Sequence, residues 1–448
     1  MLKKLVSILL IYTLLLIFLN ACKVNTDVPL DLSVQNSGGD IFAYDFERAS
    51  AEISQAAGVE IPPAFLSQMG EEETRALMKD ISNGTYSEKS WLNAAGFSYH
   101  VMLDILNGTL NAENIHDFGN NGKKTFSISF VGDINFDPDF NNMVHASEMG
   151  GILNCFDERV VSYLNQTDVC VINNEYSIGE EGVGKPLSGK TWTFQVTPDK
   201  IDILKSLGAD IVSLANNHVF DYGEEGFLST LDELDKAGMP RVGAGRNLEE
   251  AANAQFFIVN GCKVGIVAAS RAEKAGDMFT QLATDDAPGV MGTYESADFL
   301  AAIKAAKAQC DVLLVNVHWG TEMTTRLEDA QKTMAREYID AGADAVIGGH
   351  PHCLQGMDFY NNVPIIYSVG NFWFNSRTVD SCIITIEIDS QMNITPKIVP
   401  LVQKNCESLM LVDYEERRAL FDRVESYEPQ GVIIDDNGTI RPNDGEES

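Results

Sequence analysis

Five short segments of this 448-residue chain put oxygen and nitrogen donors directly after runs of apolar residues. The first is FVGDIN, residues 130 to 135, where a glycine lets the backbone turn tightly and Asp133 projects from the end of the run. The second, VINNE at 171 to 175, offers Asn173, Asn174 and Glu175. The third, SLANNHVFDYG at 213 to 223, crowds Asn216, Asn217, His218 and Asp221 into one turn. VNVHWG at 315 to 320 supplies His318, and IGGHPH at 347 to 352 sets His350 and His352 two apart, so that an extended turn would aim both imidazoles at one point. Neutral imidazole is the commonest protein metal ligand, and a mixed set of His, Asp, Glu and Asn suits Mn, Fe or Zn rather than Ca. Taken singly, each of these residues is more often a polar group capping a turn. Recurring as Asp, Glu, Asn-His, His and His-x-His on successive runs, they read together as a metal site.

Donors spaced this widely can meet only at an edge where many strands end, which is where α/β sheets collect their ligands. From Thr125 the sequence supplies such an edge, alternating short β-rich runs with helical stretches. Strands are expected at Phe126–Val131, Val169–Asn173, Ile211–Leu214, Lys263–Ala268, Val312–Val317, Ala345–Ile347, Ile365–Val369 and Cys382–Ile388. Helices are expected at Pro198–Leu207, Glu224–Ala237, Ala297–Lys307 and Ala330–Ala341, with Gly208, Gly238 and Gly342 as their stops. Residues 40–122 read as a helical region, with Trp91, Leu92, Ala95, Tyr99, Met102, Ile105 and Leu106 on one face. The α/β domain is expected over 123–405, and 406–448 as a C-terminal helix followed by an acidic, mobile tail from about Pro429.

The N-terminus has its own logic. Lys3 and Lys4 precede an apolar run from Leu5 to Phe18 and a close at Leu19, Asn20, Ala21, Cys22, the pattern of a secretory leader over 1–21. This ending resembles the bacterial lipobox, which implies lipidation of Cys22, a tether over 22–39 and an extracytoplasmic protein anchored to the cell membrane. The formal charge is −33 and becomes two units more negative once the leader is gone. Such a surface repels nucleic acid and holds an anion only where bound cations reverse the local field. Beyond Cys22 the cysteines form no CxxC pair, and four lie in or beside apolar runs, so they read as buried thiols.

Between Phe126 and Phe374 the chain resembles the CapA family, the poly-γ-glutamate capsule biosynthesis proteins of the calcineurin-like metallophosphatase superfamily. The resemblance rests on GD at 132, SLANNHVFDYG, GAG at 243 to 245, HWGTE at 318, AGADAVIGGHPHCLQG at 341 to 356 and YSVGNFWF at 367 to 374. It implies an α/β fold of four layers, an αββα sandwich with metals at one sheet edge. Carried over residue by residue, it implies metal ligands at Asp133, Glu175, Asn217, His318, His350 and His352, with Glu175 bridging. His218 would face the substrate, either donating a proton to a leaving oxygen or stabilising charge, with Asp221 as the partner that orients it. The implied cofactor is a divalent transition metal, two ions of Mn, Fe or Zn, and the implied chemistry is metal-dependent hydrolysis. The implied partners are an anionic surface polymer or its precursor, the membrane subunits of a capsule synthase, and the membrane. The alternative is a non-catalytic component that binds polymer or synthase. Asn135 stands where many phosphatases carry a histidine, and Glu175 where they carry Asp, two departures that bear on the second metal position.

Two aromatic groups, Trp192 with Phe194 and Phe372 with Trp373 and Phe374, fit either a substrate groove or packing beneath loops. Arg271 and Arg326 are further candidates for an anionic group.

Overall fold

The computed structural model describes residues 44–271 and 280–443. The expected leader, Cys22 and the tether lie outside the described residues, as do residues 444–448. Among the described residues no helix is long and apolar enough to cross a membrane.

Two mixed sheets face one another. One runs Ile115–Gly119, Gln255–Val259, Cys262–Ser270, Val312–His318, Ala345–Gly349, Val363–Ile366, Met357–Tyr360. The other runs Glu407–Met410, Ile394–Lys404, Val379–Asp389, Thr125–Ile134, Val169–Asn174, Ile211–Ser213, Arg241–Val242, with Asn371–Trp373 paired to the end of Thr125–Ile134. Alternation along each strand builds the layers, because successive side chains point to opposite faces. In Val312–His318, Val312 and Leu314 join the seam between the sheets, where they meet Phe126, Ile128, Phe130, Val169 and Val171. Leu313, Val315 and Val317 point outward beneath the helices Ala297–Lys307 and Asp329–Asp340. On the far side, Lys200–Leu207 and Gly223–Ala237 press Leu204, Leu207, Phe227, Leu231 and Leu234 onto Val131, Ile172 and Val212. Both of these helices end at glycines with positive φ, Gly208 and Gly238. The result is the four-layer αββα sandwich.

Two expectations need correction. The stretch read as helical over 40–122 does hold five helices between Phe46 and Asn107, but it ends in the strand Ile115–Gly119, which pairs in parallel with Gln255–Val259 at the sheet edge. The stretch read as a mobile tail forms an antiparallel hairpin, Val432–Ile434 with Ile440–Pro442. Val432, Ile434 and Ile440 are buried in the central seam beside Leu420, Phe421 and Val424 of the helix Tyr414–Ser426. Three apolar residues spaced among acidic ones were enough to dock it.

The helical region has its own small core around Trp91, Ile53, Leu66 and Met102. It is joined to the sandwich by polar contacts: Lys263 Nζ to Asp104 Oδ2 at 2.6 Å, His100 Nδ1 to Asp311 Oδ1 at 2.8 Å, and Ser98 N to Gly261 O at 2.8 Å. These lie where the strands Cys262–Ser270 and Val312–His318 begin. His318 closes the second of those strands at its other end.

Candidate metal centre

The expected donors all fall at the carboxyl ends of parallel strands. Thr125–Ile134 pairs in parallel with Val169–Asn174, and Val312–His318 with Ala345–Gly349. Gly132 does not serve a tight turn there. It sits at a register shift, and a Cβ on it would collide with the carbonyl of Gly370, which accepts from Asp133 N at 3.2 Å. The glycine permits a close backbone approach that fixes Asp133. Glu175 follows the next strand, its N–H bonded to Ile134 O at 3.3 Å.

The Asn216–Asp221 turn is organised by its first residue. Asn216 Oδ1 accepts from His218 N at 3.0 Å and Val219 N at 2.9 Å, while Nδ2 donates to Asn174 O at 2.8 Å and Asn173 Oδ1 at 3.0 Å. That leaves Asn217 to extend its side chain, whose Oδ1 lies 2.9 Å from His318 Nε2. The His350–His352 turn is not extended: His350 has φ 95° and His352 φ 55°. Both occupy the left-handed region that non-glycine residues rarely enter, a strain that persists only where surrounding structure enforces it.

Asp133, Glu175, His318, His350 and His352 are all buried, and they form two overlapping groups. Glu175, His318 and His350 place one donor atom each within 4.8 Å of one another, and so do Asp133, Glu175 and His352. Glu175 belongs to both. Asn217 Oδ1 faces the first group, 2.9 Å from His318 Nε2, and His350 Nδ1 lies 3.0 Å from that same nitrogen. Among the described residues Glu175 Oε1 and Asp133 Oδ2 are buried without a hydrogen-bond partner, although His352 Nδ1 approaches Oδ2 to 2.9 Å out of hydrogen-bond alignment. Two carboxylate oxygens without hydrogen-bond partners, one facing the neutral imidazole of His318 and the other the imidazole of His352, whose pKa Asp133 raises, are costly in a dry site unless a cation joins them. The residues therefore fit a divalent metal. Asn135 offers less, since its Oδ1 already accepts from Asp137 N at 2.8 Å.

Electrostatics agree with this fit. Burial, reinforced by Asp133, pushes the Glu175 carboxyl well above the usual range. Burial also raises Asp133, but the neighbouring imidazoles of His352 and His318 and the amide of Asn173 outweigh it and hold the carboxyl low. Burial pulls His318 down to about 3, so its imidazole is neutral and available as a ligand.

His218 and Asp221 form a dyad, Nδ1 to Oδ2 at 2.8 Å. Oδ2 also accepts from Phe194 N at 2.7 Å, and Oδ1 accepts from Lys190 Nζ at 2.5 Å. A carboxylate can only accept, so the proton sits on Nδ1 and Nε2 carries the free lone pair. Burial lowers the His218 pKa despite Asp221.

Reading the sequence missed Lys190, Asn173 as a donor to Asp133 Oδ1 at 2.7 Å, and Asn371, whose Oδ1 lies 2.9 Å from His352 Nδ1. Lys190 opens KTWTF, a segment read for its aromatics alone. Of the aromatic candidates, Phe194, Phe372, Trp373 and Phe374 are buried, with Phe194 tilted against His218 and Phe374 against His352, ring centroids 4.3 Å apart in each pair. Trp192 is 61% exposed. Arg271 donates its N–H to His318 O at 2.7 Å and lays its guanidinium over Tyr294, and Arg326 is exposed. All seven described cysteines are free and six are buried.

Residues 127–376 match the family described as bacterial capsule synthesis protein PGA_cap. A capsule biosynthesis protein CapA of Bacillus anthracis is 31% identical over 249 residues, covering 54% of this chain and 60% of that protein. A PGA biosynthesis protein CapA of Bacillus subtilis is 36% identical over 194 residues, covering 42% and 50%. The chain thus spans half to three-fifths of the length of the curated relatives it matches. A 5′-nucleotidase structure from Candida albicans aligns with TM-score 0.33 at 10% identity, over 64% of this chain and 52% of that one, too distant to bear on function.

Proposed function

The chain belongs to the bacterial capsule synthesis protein PGA_cap family, and from that premise we propose that it is a metal-dependent hydrolase serving the making, export or attachment of an anionic surface polymer such as poly-γ-glutamate. Glu175 would join two divalent transition-metal positions, one completed by Asp133 and His352, the other by Asn217, His318 and His350. The observation that carries this reading is the double membership of Glu175 in the two ligand groups, with one oxygen unmatched. Bound ions would supply Lewis acidity and the positive field that a chain of charge −33 otherwise lacks.

The chain's own residues supply the rest. His218 Nε2 is the group that takes or gives a proton at the substrate, and Asp221 holds its tautomer. Phe194 and Phe374 wall the two imidazoles of His218 and His352 away from water. We place the protein outside the cytoplasmic membrane, tethered through a lipid on Cys22, with synthase subunits as its membrane partners.

Asn135 favours the alternative in one respect. With its oxygen engaged, the Asp133 position has fewer ligands, as in a binding component whose single ion serves structure or polymer docking. His218→Ala separates the two. A hydrolase should keep its fold and metal and lose on the order of 10²–10⁴ in phosphodiester turnover. A docking protein should show no turnover to lose and should retain partner binding.

A further inference from the structure

Between the short strands Ser177–Ile178 and Gln195–Val196 runs the stretch GEEGVGKPLSGKTWTF, exposed along much of its middle and buried at both ends, in which Gly182, Gly184 and Gly189 take positive φ. A loop of this length without secondary structure in a compact domain is usually functional. Three of its anchors reach one turn. Leu187 N donates to Asp221 O at 2.8 Å, Phe194 N donates to Asp221 Oδ2 at 2.7 Å, and Lys190 Nζ donates both to Asp221 Oδ1 at 2.5 Å and to the carbonyl of Asn217. The Lys190 side chain is only 10% exposed and Asp221 is fully buried.

We propose that Lys190 is a positioning residue of the metal centre, latching the loop to the Asn216–Asp221 turn so that Asn217 and His218 are held in register at once. Asn217 is a neutral amide, the weakest donor of its group, and its use as a ligand depends on being delivered in place. Holding its backbone carbonyl fixes the point from which its side chain reaches the His318 position. The same ammonium holds Asp221 Oδ1 while Oδ2 meets His218 Nδ1 at 2.8 Å, so the Asp221 side chain is pinned where it orients His218. Partners that orient ligands from outside the coordination sphere typically govern affinity by 10-fold to 100-fold. The inference rests on reading the site as a metal centre.

The test is calorimetric titration with Mn²⁺ of the full chain, comparing parent, Lys190→Arg, Lys190→Met, Asp221→Asn and Lys190→Met/Asp221→Asn. The double variant removes both charges, so it guards against misfolding from an unpaired buried Asp221. Lys190→Met is expected to weaken Mn²⁺ binding by about 10-fold to 100-fold, and Lys190→Arg to restore part of it. The double variant, melting near the parent temperature, is expected to bind more weakly than Asp221→Asn alone. Parent-like binding by Lys190→Met, or by the double variant relative to Asp221→Asn, would overturn the role of Lys190 and leave the metal reading intact. A parent that takes up no Mn²⁺ would overturn both.

Discussion

Glu175 Oε1 lies 3.5 Å from His318 Nε2, both side chains are buried, and among the described residues no donor satisfies that oxygen. The pair is arranged for a cation between them, not for an ion pair, because the His318 imidazole is held neutral while the Glu175 carboxyl is pushed toward its protonated form.

That sets the sign of a pH effect. A carboxyl raised in the folded state favours folding below its unfolded value, near 4.5, and the contribution is lost as pH rises through the folded value. Metal-free Glu175→Gln should therefore be more stable than metal-free parent once pH exceeds that unfolded value, by about 1 kcal/mol or more. Transition metal should reverse the order, because parent binds it and the variant does not. Thermal melts of both proteins across pH 4–8, with and without chelator, check this. Parallel curves would contradict it.

Gly132 and Gly349 should respond differently to one added methyl. Gly132→Ala drives a Cβ into the Gly370 carbonyl that holds Asp133, so a loss of about 1–3 kcal/mol and of metal is expected. Gly349→Ala meets Asp133 Oδ1 at 3.3 Å, a contact relieved if that side chain gives by a few tenths of an ångström, so the fold should survive with metal affinity altered. Urea midpoints and metal content of the two variants decide the point. Equal stability would show that the close approach at Gly132 is not required.

Asp104 and Lys263 tie the helical region into the sandwich, and their side chains are 12% and 3% exposed. Lys263→Met should cost about 3–5 kcal/mol by stranding a buried carboxylate, whereas Lys263→Met with Asp104→Asn should recover most of it. Chemical denaturation of the two variants measures the difference. Deleting residues 44–107 is expected to destabilise the sandwich, so it is not a neutral probe of partner binding.

The site was legible because chemistry repeats at strand ends. The alternating run Val312–Val317 was legible as a strand with His318 directly after it, and the strand closes on His318 itself. The helix Ala297–Lys307 was legible to the residue, since a polar Ser296 and a run of alanines bound it. The strand Ile394–Lys404 was hidden by Pro396 and Pro400, which argue against a central strand. They are tolerated because the neighbour on that flank, Glu407–Met410, reaches only Leu401–Lys404. The left-handed backbone at His350 and His352 was not legible either, because non-glycine residues adopt it only when the fold imposes it. Lys190 was invisible for a third reason: its partners lie 27 and 31 residues away, and no local pattern encodes such a reach.

The most direct test is elemental analysis of the purified protein beside a His350→Ala/His352→Ala variant, with a denaturation curve confirming that both are folded. The account predicts about two transition-metal ions per chain in the parent and their loss in the variant. One ion would leave the Asp133 position empty and contradict the paired arrangement. Folded parent protein with no bound transition metal, and no stabilisation when metal is added, would contradict the metal centre itself.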